Sequence, residues 1–240
     1  MSRLLAIFAH PDDESFGPAG TLARSAAENH DTGLVTLTRG EAGSLGISKN
    51  YPPPELAQKR SEELHCAAQK LGISYLKIYD LPDKNLIQVS IEDGLSIIQK
   101  EIVLFVPDAI ITFHENGISG HPDHKRVTQW VRAAVDGMEN PPVLFYFGIL
   151  ESHARMVPER KLFAIPKNDV THCIDVGRYL EQKKAAIECH QTQNELWKIF
   201  QKLPVSYEEY SRWEYFMQVR PLPHDREVRY QLFEENPVSS

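Results

Sequence analysis

Five apolar runs of strand length, separated by helical stretches, fill the first 150 residues of this 240-residue chain. The first, over residues 3–9, is apolar without alternation, which is the pattern of a strand covered on both faces. "GLVTLT" at 33–38, "SYLKIYD" at 74–80, "AIITFH" at 109–114 and "PVLFYFGI" at 142–149 follow it. Between them the spacing predicts helices over 15–29, from Pro53 to Gly72, over 91–106 and from Pro122 onward. Proline suits a first helical turn and glycine a helix end, so the Pro53 and Gly72 boundaries have a physical basis. Strands that alternate with helices are joined by crossovers and therefore lie parallel. The expected class is α/β and Rossmann-like: a mostly parallel sheet with helices on both faces.

Past residue 150 the signal weakens. "KLFAIP" and "HCIDV" read as short strands and "RYLEQKKAAIECHQTQ" as an amphipathic helix. No repeat, low-complexity block or linker divides the chain, so residues 1–220 are expected to form one domain, the second half being its C-terminal extension. Residues 221–240, with Pro221, Pro223 and Pro237, read as an irregular tail. A composition of 42% hydrophobic and 25% charged residues suits a soluble domain with a full core. The net charge of −7 argues against nucleic-acid binding, which needs a basic surface. No apolar stretch approaches the roughly 18 residues of a membrane span. The N-terminal "MSRLLAIFAH" lacks the cleavage site of a signal peptide and reads as the first strand. Cys66, Cys173 and Cys189 show no C-x-x-C and are expected to be unpaired, buried and in a reducing cytoplasm.

Chemistry gathers where the strands end. In open α/β sheets, ligands bind at the carboxyl ends of the strands. Those ends deliver His10, Asp12, Asp13 and Glu14 from the first run, and Arg39, Gly40 and Glu41 from the second. The third delivers Asp80 and Asp83, and the fourth His114, Glu115, Asn116, His121 and His124. Two histidines and a carboxylate converging from separate strands would form a metal site with a position open to water, which suits catalytic zinc. His10 and Asp13, three apart across a turn into a helix, can face one point. Asp12 must then point elsewhere, within reach of a water, where a general base belongs. His121 and His124 lie one helical turn apart, so one can bind metal while the other approaches a substrate oxygen. Taken singly, "HPDD" and "HPDH" serve as well for ordinary helix starts; two of them at one sheet edge are harder to explain that way. His30, His65, His153 and His224 lack such placement and read as surface or packing residues. His172 reads as strand-buried or near the site. Arg60 by itself reads as a solvated helix position or a partner of Glu63.

The motifs "AHPDDE" at 9–14 and "GHPDH" at 120–124 resemble those of the LmbE-like or PIG-L-like de-N-acetylases. "TRGEAG" at 38–43, Arg60 with Glu63, "LPD" at 81–83 and "H-x-T-Q" at 190–193 follow in the family's order. The resemblance covers about four-fifths of the chain. It implies a zinc-dependent hydrolase that removes acetyl from N-acetylglucosamine-type amides, with one zinc per chain. The ligands it implies are His10, Asp13 and His124, with Asp12 as general base and His121 assisting the tetrahedral intermediate. Arg60, Asp83 and Glu41 are implied to contact substrate, and Glu14 and His190 to support the site from behind. Another divalent metal, such as iron or cobalt, suits the same ligands. The expected partner is a small acetylated amino sugar or conjugate, and a homo-oligomer is an expectation of the family. The chain departs from the pattern at Ser119, where some members carry tyrosine, and at His114 and Glu115. Alternative readings are another amidase or an esterase on the same metal core, or a non-catalytic metal-binding protein. A dinucleotide-binding module is disfavoured, because the first strand–helix turn lacks G-x-G-x-x-G and its carboxylates would repel a pyrophosphate.

Overall fold

A computed structural model of the protein describes residues 1–43, 51–225 and 227–233. The first run forms strand β1 (Arg3–Phe8), with Leu4 to Phe8 fully buried. The helix expected over 15–29 is divided into α1 (Asp13–Phe16) and α2 (Ala19–Ala27), interrupted at Gly17 and Pro18. Proline cannot supply an amide hydrogen to a continuing helix, so the break falls where the sequence requires it. Strand β2 (Asp31–Thr38), helix α3 (Pro53–Leu71) and strand β3 (Tyr75–Leu81) follow. Gly72 ends α3 at φ 72°, a left-handed conformation that glycine adopts without steric cost. Next come α4 (Ile91–Phe105), β4 (Ala109–Phe113), the short α5 (Gly117–Gly120), α6 (Pro122–Asp136) and β5 (Val143–Gly148). The second half adds α7 (Glu151–Arg155), β6 (His172–Asp175), α8 (Leu180–Cys189), α9 (Asn194–Phe200), α10 (Tyr207–Ser211) and β7 (Trp213–Arg220).

The seven strands form one sheet in the order β3-β2-β1-β4-β5-β7-β6. The first five are parallel; β7 runs antiparallel to β5, and β6 antiparallel to β7. Helices α2, α3 and α8 pack together as one layer, and α4 packs on α6 as another. The sheet grows from β1 toward β2 on one side and toward β4 on the other. The crevice at the carboxyl ends of β1 and β4 is therefore the topological switch point, where α/β sheets bind ligands.

Three expectations are corrected. "KLFAIP" forms no strand. Strand β7 is additional: its inward face carries Glu214 beside Phe216 and Val219, and a buried glutamate disguises a strand pattern. Glu214 is tolerated there because it accepts hydrogen bonds from Gly20 N (2.9 Å), Thr21 N (2.8 Å) and Lys183 Nζ (2.6 Å). The expectation that all three cysteines are unpaired also fails. Cys66 of α3 and Cys189 of α8 form a disulfide with Cα atoms 5.8 Å apart, while Cys173 is free. The two helices pack side by side, which brings together residues 123 apart in sequence. In the tail, Arg229 bridges to His172 and Phe233 packs on His30; residues 226 and 234–240, including Pro237, lie outside the described residues. Among the described residues, no helix is long and apolar enough to cross a membrane.

Candidate metal centre

His10 leaves β1 by two residues, and the chain then turns sharply at Asp12, whose φ is 118°. A non-glycine residue held there stores strain of about 1–3 kcal/mol, which persists only where the surroundings fix it. The turn is held on several sides. Asp12 N donates to Glu14 Oε2 (3.1 Å), and its carboxylate Oδ2 lies 3.2 Å from Arg60. Arg60 also donates to Pro11 O, and to Gly40 O at 3.0 Å. The turn points Asp13 back toward His10, whose backbone N donates to Asp13 Oδ2 at 2.7 Å. From β4, the loop through α5 brings in α6, where Pro122 starts the helix and His121 caps it by accepting from Asp123 N at 3.2 Å.

Donor atoms of three residues meet between these loops. His124 Nε2 lies 3.3 Å from His10 Nδ1 and 3.2 Å from Asp13 Oδ1, and His10 Nδ1 lies 3.4 Å from Asp13 Oδ2. Each imidazole is fixed on its far side. His10 Nε2 contacts carboxylate oxygens of Asp83 and Asp123, both at 3.1 Å, and His124 Nδ1 faces Gly117 O at 3.0 Å. The outer oxygens hold protons on His10 Nε2 and His124 Nδ1, which leaves the inward nitrogens as the ones a cation would take. Two imidazole nitrogens and a carboxylate aimed at one point need positive charge between them, from protons or from a metal ion. A tetrahedral ion of zinc's size, with bonds of about 2.0–2.2 Å, sets its ligand atoms about 3.3–3.6 Å apart. The observed separations fit such an ion, and the outer partners are those that orient metal-binding histidines.

The buried charges of the cluster shift one another. Burial works to depress His10, but its hydrogen bonds to Asp123, Asp13 and Asp83 outweigh it and hold the imidazole well above its ordinary value. Burial would raise Asp13, yet His124 and His10 hold it below the usual carboxylate range. The cluster therefore attracts positive charge. Asp12 is different: burial pushes it up to about 6, against the pull of Arg60. His121 is lowered to about 4, chiefly by burial and then by His10 and His124. Its ring lies 4.7 Å from that of His10 and 4.9 Å from that of His124, centroid to centroid.

The structure thus gathers His10, Asp12, Asp13, His121 and His124 at the switch point. It places the other expected residues behind them. Asp83, expected at the substrate face, is buried, with Oδ1 on His10 and Oδ2 accepting from Ala42 N at 2.9 Å. Its carboxyl is lowered because the His10 and Ala42 contacts outweigh burial. Glu41 Oε1 accepts from Asp83 N at 2.8 Å. Arg60 is neither solvated nor paired with Glu63; Glu63 accepts instead from Thr192 N (2.9 Å) and Oγ1 (2.6 Å). Glu14 is fully buried and accepts from His190 Nε2 at 2.7 Å. His172 packs on Phe145 in β6, away from the centre. Sequence reasoning missed Asp123, which is fully buried and holds His10, Lys84 N (2.7 Å) and Leu86 N (3.1 Å). An acid in a first helical turn reads as dipole complement, so only its place between two histidines hinted at more. His153, read as packing, lines a cavity of about 220 Å³ that also touches Asp12, Asp13 and His124.

Comparison with known proteins agrees with this geometry. Residues 5–135 match the family described as PIG-L: GlcNAc-PI de-N-acetylase. A 1D-myo-inositol 2-acetamido-2-deoxy-alpha-D-glucopyranoside deacetylase of Saccharomonospora viridis is 31% identical, over 79% of this chain and 84% of that protein. The enzyme of the same description from Rhodococcus opacus is 28% identical, over 80% and 81%. Among solved structures, the 4-carboxy-2-hydroxymuconate hydratase of Pseudomonas putida superposes with a TM-score of 0.72 at 19% identity, covering 94% of this chain and 99% of that one. The N,N'-diacetylchitobiose deacetylase of Pyrococcus horikoshii does so at 0.64 and 18%, covering 93% and 87%. Those two likenesses speak to fold alone. The family match spans β1 through α6 and includes every residue of the metal centre, and on that ground the chain belongs to the PIG-L family of GlcNAc-PI de-N-acetylases.

Proposed function

We propose that this protein is a zinc-dependent hydrolase that removes the N-acetyl group from an N-acetylglucosamine-type sugar or conjugate. The observation that carries this reading is the triangle of His10 Nδ1, Asp13 and His124 Nε2, with sides of 3.2–3.4 Å and both imidazoles anchored from behind. The deacetylase relatives support the choice of substrate class. His10, Asp13 and His124 would hold the ion; when bound, such an ion supplies Lewis acidity, acidifying water and polarising a carbonyl.

The chain's own groups supply the proton transfers. Asp12 lies beside the triangle but outside it, buried against Arg60, and takes the proton of the attacking water. Its elevated value suits a base that works near neutrality. His121 accepts from Asp123 N at Nδ1, so its Nε2–H donates a hydrogen bond to the oxygen that gains charge and keeps its proton. The proton that Asp12 has collected returns to the departing amine nitrogen, which leaves the carboxylate ready for another cycle. Arg60 positions Asp12 and the strained turn. Asp83, Asp123, Glu14 and His190 fix the ligands and the turn from behind.

The test is amine release from N-acetylglucosamine and its inositol conjugate by purified protein, with and without a chelator. Chelator-sensitive release that zinc restores supports the reading. Metal-loaded protein that releases no amine from either compound would overturn it.

A further inference from the structure

The cavity of about 220 Å³ against Asp12, Asp13 and His124 is walled largely by apolar side chains. Phe16, Phe147, Ile149, Phe200, Leu203 and Trp213 contribute to its wall. Phe16 stacks on Phe200 with centroids 5.8 Å apart, and Phe200 meets Tyr210 edge-on at 5.6 Å, so α1, α9 and α10 close over it with aromatic rings. A hydroxyl buried against such a wall loses its hydrogen bonds to water without replacement. Five charged residues line the cavity, Asp12, Asp13, Arg160, Lys183 and Glu214, and the last two have their bonds already made. Lys183 Nζ donates to Gly17 O at 2.8 Å and Glu214 Oε1 at 2.6 Å, and Glu214 also accepts from Gly20 N and Thr21 N. The polar groups Arg60, Glu41 and Asp83 lie outside this lining. The volume exceeds the roughly 150 Å³ of an apolar cavity that accepts a benzene ring, and an acetyl methyl fills only a small part of it. Most of the wall comes from residues 147–215, beyond the 5–135 matched by the family model.

We propose that this cavity binds an apolar substituent of the substrate amide, either an acyl chain longer than acetyl or an aryl or alkyl aglycone on the amine side. This rests on the hydrolytic reading above and narrows its substrate class. Both sources share the same chemistry, and each buried methylene contributes about a fourfold gain in affinity.

The experiment uses zinc-loaded full-length protein and measures kcat/KM by amine release. One arm compares N-hexanoyl- with N-acetylglucosamine; the other compares the phenyl with the methyl β-glycoside of N-acetylglucosamine. The expected result is a gain of at least tenfold in one arm, which names the source. Ile149→Trp, which fills the cavity, is expected to shrink that ratio at least fivefold. Calorimetric titration of the wild type with hexanoate and acetate gives a readout that needs neither turnover nor a folded variant, and hexanoate is expected to bind at least tenfold more tightly. Hydrolysis of the acetyl substrates with both ratios within twofold, and equal binding of the two acids, overturns the cavity proposal while the hydrolytic reading stands. A gain that persists undiminished in Ile149→Trp overturns it as well. No hydrolysis with tight hexanoate binding overturns the hydrolytic reading and leaves the apolar site supported.

Discussion

Replacing Arg60 by methionine isolates the clamp on the strained turn. Methionine keeps the unbranched stem that packs inside α3 and removes only the guanidinium. Three acceptors lose their donor: Pro11 O, Gly40 O and the Asp12 carboxylate. Stripping one partner from a buried ion pair costs about 3–5 kcal/mol, and each orphaned carbonyl adds up to about 1–3 kcal/mol. Two effects oppose this. The guanidinium's own desolvation is no longer incurred, including that of Nε, which is buried with no partner among the described residues. Asp12 can also neutralise itself by taking a proton, and its turn at φ 118° can relax. The net expectation is a destabilisation of about 3 kcal/mol, which for a chain of this size lowers Tm by about 6–12 °C. Thermal unfolding followed by circular dichroism measures it. A double-mutant cycle sharpens the reasoning: in an Asp12→Asn background the same Arg60 substitution should cost about 1–3 kcal/mol less, because no charge is left stranded. A Tm within 2 °C of wild type, or strictly additive losses, would show that Arg60 does not clamp the turn.

Asp12→Asn is expected to keep its metal and lose about 10²–10⁴-fold in kcat; wild-type turnover would remove Asp12 from the role of base. Asp123→Asn weakens the acceptor behind His10 and is expected to cost about 10–100-fold in zinc affinity, read by competition with a chromophoric chelator; unchanged affinity would refute that support. His190 is held above the ordinary imidazole value, because the charge of Glu14 and their hydrogen bond at 2.7 Å outweigh burial. The folded chain therefore keeps a proton that the unfolded chain releases above about pH 6.5. The stabilisation is complete below that pH and disappears as pH rises through the folded-state value. His190→Gln should accordingly lower the urea midpoint more at pH 6 than at pH 9, and equal losses at both would contradict the pairing.

The parallel half of the fold was legible because burial on both faces leaves an unbroken apolar run, as in Leu4 to Phe8. The convergence of His10, Asp13 and His124 was legible for a related reason: each follows a buried strand whose end the topology brings to one crevice. What stayed hidden depends on partners far apart in sequence. Glu14 meets His190 across 176 residues, and Glu63 meets Thr192 across 129. Neither pairing leaves a local periodicity. Cys66 and Cys189 likewise sit at unremarkable helix positions until α3 and α8 pack together. Strand β7 was masked by Glu214, whose burial makes sense only once the N-terminal end of α2 and Lys183 are beside it. Asp83 and Arg60 were drawn toward the substrate by their motifs, while their partners, His10 for Asp83 and Gly40 O for Arg60, come from distant segments that leave no local signal.

The central claim is that His10, Asp13 and His124 together bind one divalent cation. Mass-spectrometric metal analysis of dialysed, zinc-reconstituted protein tests it most directly, with Asp13→Ala and His124→Ala as comparisons. The account predicts one zinc per chain in the wild type and near-complete loss in both variants, with folding retained by circular dichroism. Full metal content in either variant, or none in the folded wild type, would contradict it.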